Sequence, residues 1–175
     1  MKPQLSVLLV EDDPNVRLGC EQAMQLAGIA VDAVASAEEA QRRLTAGFPG
    51  IVVTDMRLPG ADGMALLRWV VERDADLPVI IITGHGDVTL AVEAMRSGAY
   101  DFMQKPFSTG DLIEVVRRAL EKRELVLEVD ALRRRLDHPD DIESRLIGRS
   151  PQMAKVRQLI LDVAGAAVDV LIFGE

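Results

Sequence analysis

Cysteine and aromatic residues are scarce in this chain of 175 residues. Cys20 is the single cysteine, and aromatic residues make up 3% of the sequence. One thiol forms no internal disulfide and completes no cysteine-rich zinc site, so the composition favours a reducing, cytoplasmic setting. No apolar run approaches the roughly 18 residues that span a bilayer. The first apolar run, Val7–Val10, ends at Glu11, so we expect neither a signal peptide nor a membrane segment.

An excess of basic residues is also missing. The chain has 20 Lys and Arg against 28 Asp and Glu, which gives a net charge of −8. Affinity for phosphate backbones comes from clustered Lys and Arg, so an acidic chain is a poor non-specific nucleic-acid binder. Hydrophobic residues reach 49% and charged residues 27%, a balance that is typical of a globular protein and excludes a disordered one.

Short apolar runs alternate with segments of helical length. The candidate strands are Val7–Val10, Val31–Ala35, Ile51–Thr54, Val79–Thr83 and Tyr100–Gln104. The helical segments are Pro14–Leu26, Ala37–Thr45, Gly63–Arg73, Asp87–Arg96 and a segment that opens at Thr109. Val- and Ile-rich runs without clear alternation indicate strands buried on both faces. Five β-α units in about 120 residues predict a doubly wound α/β domain with a parallel sheet.

Small polar residues and glycines mark where several of these helices begin and end. Ser36 with Glu39, and Ser108 with Asp111, have the spacing of a capping box. Gly28 and Gly98 follow helix ends, where a left-handed residue is favoured. The helical methionines Met24, Met64 and Met95 are expected to fill the core.

The last helical segment is unusually long. It runs from Thr109 to Leu136, and its apolar residues Leu125, Val129, Leu132 and Leu136 recur at spacings of four, three and four, which is the seam of a short coiled coil. The residues from His138 to Asp141 then break the helix. Ser150-Pro151 predicts the start of a new helix to about Val163, followed by a strand at Val168–Phe173. One helix and one unpaired strand are not a folding unit, so this part is expected to be a piece of a second domain.

Polar residues follow four of the candidate strands. Glu11-Asp12-Asp13 follows the first strand, Asp55 the third, and Lys105 the fifth, while Thr83 ends the fourth. In a doubly wound sheet, sites form at the carboxyl ends of the strands. Each residue alone has a plainer reading as a turn, cap or loop residue, and Asp13 fits a cap for the helix at Pro14. Their conjunction at four strand ends favours a site. His85 is read as an exposed loop residue.

The chemistry of this set points to phosphoryl transfer. Clustered carboxylates repel one another, and a hard divalent cation relieves that repulsion. Mg²⁺ takes oxygen ligands and usually accepts one or two carboxylates, waters and a phosphate. Asp55 would attack the phosphoryl group, Lys105 would neutralise its oxygens, and Thr83 would hydrogen-bond one of them.

These residues resemble the response-regulator receiver family. The resemblance covers Val7 to about Lys122 and is carried by four motifs: Glu11-Asp12-Asp13, Thr54-Asp55-Met56-Arg57-Leu58-Pro59-Gly60, Ile82-Thr83-Gly84-His85 and Lys105-Pro106-Phe107. It implies a flavodoxin-like fold with strand order 2-1-3-4-5 and Asp55 as phosphoacceptor. Asp12 would bind Mg²⁺ directly, Glu11 through water, and Arg57 through its backbone carbonyl. Lys105-Pro106 would be a cis peptide and Phe102 the switch aromatic.

A narrower resemblance is to the NtrC/DctD branch of sigma-54-dependent activators, with the dicarboxylate-transport regulators the nearest type. It is carried by Thr83-Gly84-His85-Gly86-Asp87, by Leu146-Ile147-Gly148-Arg149-Ser150 and by Asp169–Glu175. It implies a receiver at 1–122, a helical coiled-coil linker at 123–141 and the truncated start of an AAA+ domain at 142–175.

The implied partners are a sensor histidine kinase and a second copy of the chain, which would bind through the linker helix and the receiver face. The downstream AAA+ domain, sigma-54 RNA polymerase and enhancer DNA would be partners of the full-length protein only. Since the sequence contains no GxxxxGK[ST] phosphate loop, we expect this chain to hydrolyse no ATP.

Two other functions use parts of the same pattern. A phosphohydrolase of the haloacid dehalogenase type also uses a strand-end Asp and Mg²⁺, but its general acid would lie two residues later, where this chain has Arg57. A flavodoxin-like cofactor module needs a Ser-, Thr- and Gly-rich phosphate cradle after the first strand. The acidic residues Glu11, Asp12 and Asp13 stand there instead.

Overall fold

A computed structural model describes residues 4–84, 88–137, 146, 148 and 150–163. The chain divides into two compact units, 1–129 and 130–175. The first unit holds the strands β1 (Ser6–Val10), β2 (Ala30–Val34), β3 (Gly50–Asp55), β4 (Val79–Thr83) and β5 (Asp101–Gln104). Its helices are α1 (Pro14–Leu26), α2 (Ala37–Arg43), α3 (Gly63–Val71) and α4 (Val88–Arg96). Helix α5 (Thr109–Asp137) begins in this unit, and α6 (Pro151–Val163) lies in the second.

The five strands form one sheet in the order β2-β1-β3-β4-β5, and every neighbouring pair is parallel. The predicted doubly wound sheet and its strand order are therefore confirmed. Strands β3 and β4 are buried along their whole length, as Val- and Ile-rich runs indicate for strands covered on both faces. Parallel strands all end at the same edge, so the residues that follow β1, β3, β4 and β5 meet there.

Two apolar clusters cover the two faces of the sheet. On one face, Leu8, Val52 and Ile81 pack with residues of α2, α3 and α4. On the other, Val7, Ile51 and Ile80 pack with residues of α1 and α5. Both Met24 and Met64 are buried in these clusters as expected. The expectation is wrong for Met95, which lies on the outer face of α4 and is 48% exposed.

Capping interactions set several of the observed boundaries. Ser36 Oγ accepts from the backbone N–H of Glu39 at 3.3 Å, and the Glu39 carboxylate accepts from the N–H of Ala35 at 3.2 Å. That contact explains why β2 ends at Val34 and not at the predicted Ala35, since the Ala35 donor belongs to the cap. The capping box of Ser108 and Asp111 is also present, and Gly28 and Gly98 have φ of 77° and 98°.

The second unit contains the predicted helix α6 with the predicted bounds. Ser150 Oγ accepts from the N–H of Met153 at 3.2 Å, as an N-cap does. Arg157 of this helix donates to the carbonyls of Leu146 and Gly148. The predicted helix break at 138–141, the strand at Val168–Phe173 and the loop residue His85 lie outside the described residues. Within the described part of the chain, no helix has the length and apolar character needed to cross a membrane.

Candidate functional site

Asp55 lies at the carboxyl edge of the sheet, as the last residue of β3. It pairs in register with Ile82 of β4 and is only 7% exposed. Both oxygens of its carboxylate accept hydrogen bonds: Oδ1 from Lys105 Nζ at 2.6 Å, and Oδ2 from the backbone N–H of Arg57 at 2.6 Å. These two donors fix the carboxylate at the end of the strand, where it faces the loops that follow β1 and β5.

Lys105 brings two distant carboxylates together. Its backbone N–H donates to the carbonyl of Thr83 at 2.7 Å, which continues the pairing of β4 and β5 past Gln104. Its ammonium donates to Asp55 at 2.6 Å and to Glu11 at 2.8 Å. The Lys105-Pro106 bond is cis, as the family resemblance implied.

Charge in this cluster is unevenly compensated. Burial raises the pKa of the Glu11 carboxyl above its ordinary value, against the opposing effect of Lys105. Burial by itself would lower the pKa of Lys105, but its hydrogen bonds to Asp55 and Glu11 raise that pKa. Both directions follow from one fact: Lys105 is shared by two carboxylates, whereas Glu11 has only part of one ammonium to offset its lost hydration.

The three acidic residues after β1 have three different environments. Glu11 is 3% exposed and joins Lys105, while Asp12 is exposed and lies outside that cluster. Asp13 is the N-cap of α1 and accepts from the N–H groups of Asn15 and Val16 at 2.8 and 3.2 Å. The predicted capping role of Asp13 is therefore confirmed.

Arg17 is a positioning residue that sequence reasoning missed. Its guanidinium donates to the backbone carbonyls of Glu11 and Asp12, so α1 holds the loop that carries both carboxylates. The available signal was an arginine on the first turns of α1, directly after an acidic loop. The carbonyl partners belong to the loop backbone, and residue types alone do not reveal them.

Thr83 and Phe102 lie on the same face of the sheet. Thr83 is almost fully buried at the end of β4 and pairs with Gln104 of β5. Phe102 stands two residues before Gln104, pairs with Ile81 and is half-buried against the cluster that contains Ile81. Side chains two residues apart share a face, so the predicted hydroxyl and aromatic lie one step apart.

The loop between β3 and α3 is held from two sides. The N–H of Gly63 donates to the carbonyl of Met56 at 2.9 Å, and a Cβ at Gly63 would stand 2.4 Å from the Asp55 carbonyl oxygen. Only glycine fits that approach. The Glu38 carboxylate of α2 accepts from the N–H of Ala61 at 3.2 Å. The pKa of Glu38 is lowered by the hydrogen bond from its own backbone N–H, which has the larger effect, and by the one from Ala61. Glu38 is a second positioning residue that sequence reasoning missed.

The donor set fits a magnesium ion. Among the described residues no group of three or more His, Cys, Asp or Glu is already gathered as a metal site. Glu11 and Asp55 share the single ammonium of Lys105, and Asp12 stands on the adjacent loop. The site therefore has more carboxylates than cations, backbone carbonyls lie beside it, and Asp12 is open to water. Mg²⁺ accepts carboxylate, carbonyl and water oxygens as ligands.

Comparisons with known proteins agree on a family. Residues 7–117 match the response regulator receiver domain. The chain is 50% identical over 172 residues to the C4-dicarboxylate transport transcriptional regulatory protein DctD of Pseudomonas aeruginosa, covering 98% of this chain and 37% of that protein. It is 46% identical over 170 residues to DctD of Rhizobium meliloti, covering 97% of this chain and 37% of the relative. The chain thus spans little more than a third of both relatives.

A solved structure shows the same fold. The receiver domain of NtrX from Brucella abortus superposes with a TM-score of 0.63 at 36% identity, over 66% of this chain and 98% of that domain. The family match gives no support to the haloacid dehalogenase alternative. With the parallel sheet, the acidic loop after β1 and the Asp55–Lys105 pair in place, the chain belongs to the response regulator receiver family, in its NtrC/DctD-type branch.

Proposed function

We propose that this chain is a phosphorylation-dependent switch that accepts a phosphoryl group from a sensor histidine kinase on Asp55. The observation that carries the proposal is the position of the Asp55 carboxylate. It lies at the sheet edge, 2.6 Å from Lys105 Nζ, with Glu11 on the same ammonium and Asp12 on the neighbouring loop. A nucleophilic carboxylate beside a fixed cation is the arrangement that phosphoryl transfer requires.

The residues divide the chemistry between them. A carboxylate oxygen of Asp55 forms a bond to phosphorus as the bond between phosphorus and the donor's imidazole nitrogen breaks, and the bonding electron pair leaves with the imidazole. Lys105, whose ammonium lies 2.6 Å from Asp55 Oδ1, would neutralise the phosphoryl oxygens, and the N–H of Arg57 holds the carboxylate in place. Glu11, Asp12, Asp55 and the carbonyl of Arg57 would hold Mg²⁺, which supplies further neutralisation of phosphoryl charge. In this scheme the chain positions the reacting groups and stabilises charge without transferring a proton, so we propose that it is a regulator and not an enzyme.

Switching follows from the new charge. A phosphoryl group adds about −1.5 to −2 charge and strong acceptor oxygens at the end of β3. The Thr83 hydroxyl would move to one of these oxygens. Phe102, one step along the same face, would fill the space that this movement leaves.

By similarity to the longer DctD relatives, the output would belong to further domains. We assign residues 1–122 to the receiver, 123–141 to a helical linker and 142–175 to the start of an AAA+ domain. By similarity to the DctD relatives, the full-length protein would act in the cytoplasm on sigma-54 RNA polymerase at enhancer DNA and regulate C4-dicarboxylate transport. The chain would dimerise through its linker helix and receiver face, and phosphorylation would weaken or rearrange that dimer.

Intact-mass measurement after incubation with Mg²⁺ and acetyl phosphate tests the acceptor. Wild type is expected to gain one labile phosphoryl group, and Asp55→Asn none. Asp62→Asn is the matched control, because Asp62 lies in the following loop and caps α3, a role that Asn also fills. Stoichiometric phosphorylation of Asp55→Asn would overturn the assignment.

A further inference from the structure

Arg123 is a fully buried arginine in a helix whose other described charged side chains are exposed or half-buried. It is 1% exposed and lies on α5, beyond the residues that match the receiver family. Its Nε and Nη2 donate to the carbonyl of Phe48 at 3.1 and 2.9 Å, while Nη1 and Nη2 donate to the two oxygens of Asp74 at 3.3 and 2.6 Å. A planar guanidinium with four hydrogen bonds to two partners is fixed in both its position and its orientation.

The partners of Arg123 are themselves fixed. Phe48 and Asp74 stand before β3 and β4, at the edge of the sheet opposite to Asp55. Asp74 donates its N–H to Val70 at 2.8 Å, accepts from Leu77 through its carbonyl at 3.1 Å, and accepts from the N–H of Asp76 through its carboxylate. Arg123 therefore ties α5 to a rigid turn of the receiver body.

The position of Arg123 on α5 shows on which side of the helix the apolar seam residues lie. At 3.6 residues per turn, Leu125, Val129 and Leu132 lie about 200°, 240° and 180° around the helix from Arg123. Since Arg123 faces the receiver body, Leu125 and Val129 face away from it, and all three side chains are among the exposed large apolar residues of the described chain. Leu136 continues the spacing, but its side chain lies outside the described residues.

We propose that Arg123 is a clamp that holds the start of the linker seam, Leu125 and Val129, away from the receiver body, where a second copy of the chain can meet it. This inference rests on the proposed function, because the dimer is part of it. Leu120 is the last described apolar residue of α5 that packs against the core. Without the clamp, the part of α5 that carries Leu125 and Val129 would therefore be free to bend out of this orientation. The clamp joins the receiver body to the surface that would make the dimer, at the edge of the sheet remote from Asp55.

Two variants of the full chain test the clamp. Arg123→Met removes all four hydrogen bonds and keeps the side-chain volume. Asp74→Asn keeps the arginine and weakens its carboxylate partner, so it serves if Arg123→Met fails to fold. Arg117→Met is the matched control: it is an exposed arginine on the same helix, with one 3.3 Å bond to the carbonyl of Ala27.

Hydrogen exchange and sedimentation are measured without phosphate. In both clamp variants we expect amide exchange at 124–129 to rise, and the dimer dissociation constant to increase, by at least about tenfold each. Phosphorylation of Asp55 by acetyl phosphate should stay at the wild-type rate, and Arg117→Met should match wild type throughout.

If both clamp variants fold and show the same amide exchange and the same dimer affinity as wild type, the clamp proposal is overturned. A monomeric wild type would overturn it as well, because the seam would then have no second copy to meet. Failure of Asp55 to take up phosphate would contradict the proposed acceptor and leave this comparison intact, since the comparison needs no phosphate.

Discussion

One ammonium lies between two carboxylates at the carboxyl edge of the sheet. Lys105 contacts Asp55 and Glu11, and burial raises the pKa of Glu11. Asp12 adds a third carboxylate on the adjacent loop. The fold therefore holds more negative than positive charge at this point, and a cation that enters the site removes repulsion within the folded state.

Mg²⁺ is expected to stabilise the folded chain. A ligand that binds only the folded state at ten times its Kd adds about 1.4 kcal/mol. A rise in Tm across a millimolar Mg²⁺ titration measures this effect, and Asp12→Ala should abolish the rise while leaving the metal-free protein at least as stable. A Tm that ignores Mg²⁺ would count against the site, as would an Asp12→Ala variant that responds fully.

The residues of this site differ in how far the sequence could predict them. Asp55, Thr83 and Lys105 stand at the ends of apolar strands, so strand prediction alone gathers them at one edge. The exposure of Asp12, the loop contacts of Arg17 and Glu38, and the burial of Arg123 follow from tertiary contacts. Arg123 meets partners 49 and 75 residues away, and periodicity carries no information about such pairs.

At the scale of elements, helix α3 begins in contact with the end of β3, which carries Asp55. Gly63, its first residue, leaves no room for a Cβ against the Asp55 carbonyl, and its N–H bonds to Met56. The start of α3 and the end of β3 are thus in backbone contact. Apolar spacing predicted α3 from Gly63, but it could not show why glycine is required there.

Gly63→Ala is expected to destabilise the fold by about 1–3 kcal/mol, because the new methyl group must displace backbone. Gly19→Ala is the matched control: Gly19 lies inside α1 with open space around it, so alanine should stabilise by about 0.5–1 kcal/mol. Urea unfolding of both variants measures the two effects. Equal stability of Gly63→Ala and wild type would show that α3 shifts freely, and that its contact with β3 does not hold the site.

At the scale of the whole molecule, the proposed dimer would use the linker helix. The predicted seam of Leu125, Val129, Leu132 and Leu136 spans only about two heptads, fewer than the three or four of a secure coiled coil. The proposed dimer would therefore also need the receiver face formed by α4, β5 and α5. That face contains Phe102, which would connect the proposed dimer to the site at Asp55.

Leu132→Glu is expected to weaken the dimer by at least about tenfold, because it places a charge in the apolar seam. Leu18→Glu on α1 is the control, since Leu18 and Leu132 are both 52% exposed and only Leu132 lies on the seam. Sedimentation equilibrium of the two variants gives the dissociation constants. Equal dimerisation of Leu132→Glu and wild type would show that the seam is an ordinary helix face.

Sedimentation with beryllofluoride tests most directly whether phosphorylation of Asp55 controls assembly. Beryllofluoride with Mg²⁺ mimics the phosphoryl group on an acceptor aspartate, and the dimer dissociation constant is measured with and without it. We expect beryllofluoride to change the dissociation constant of wild type by at least about tenfold, or to change its sedimentation coefficient. For Asp55→Asn we expect beryllofluoride to change neither quantity. An unchanged wild type, or an Asp55→Asn variant that responds like wild type, would contradict the account.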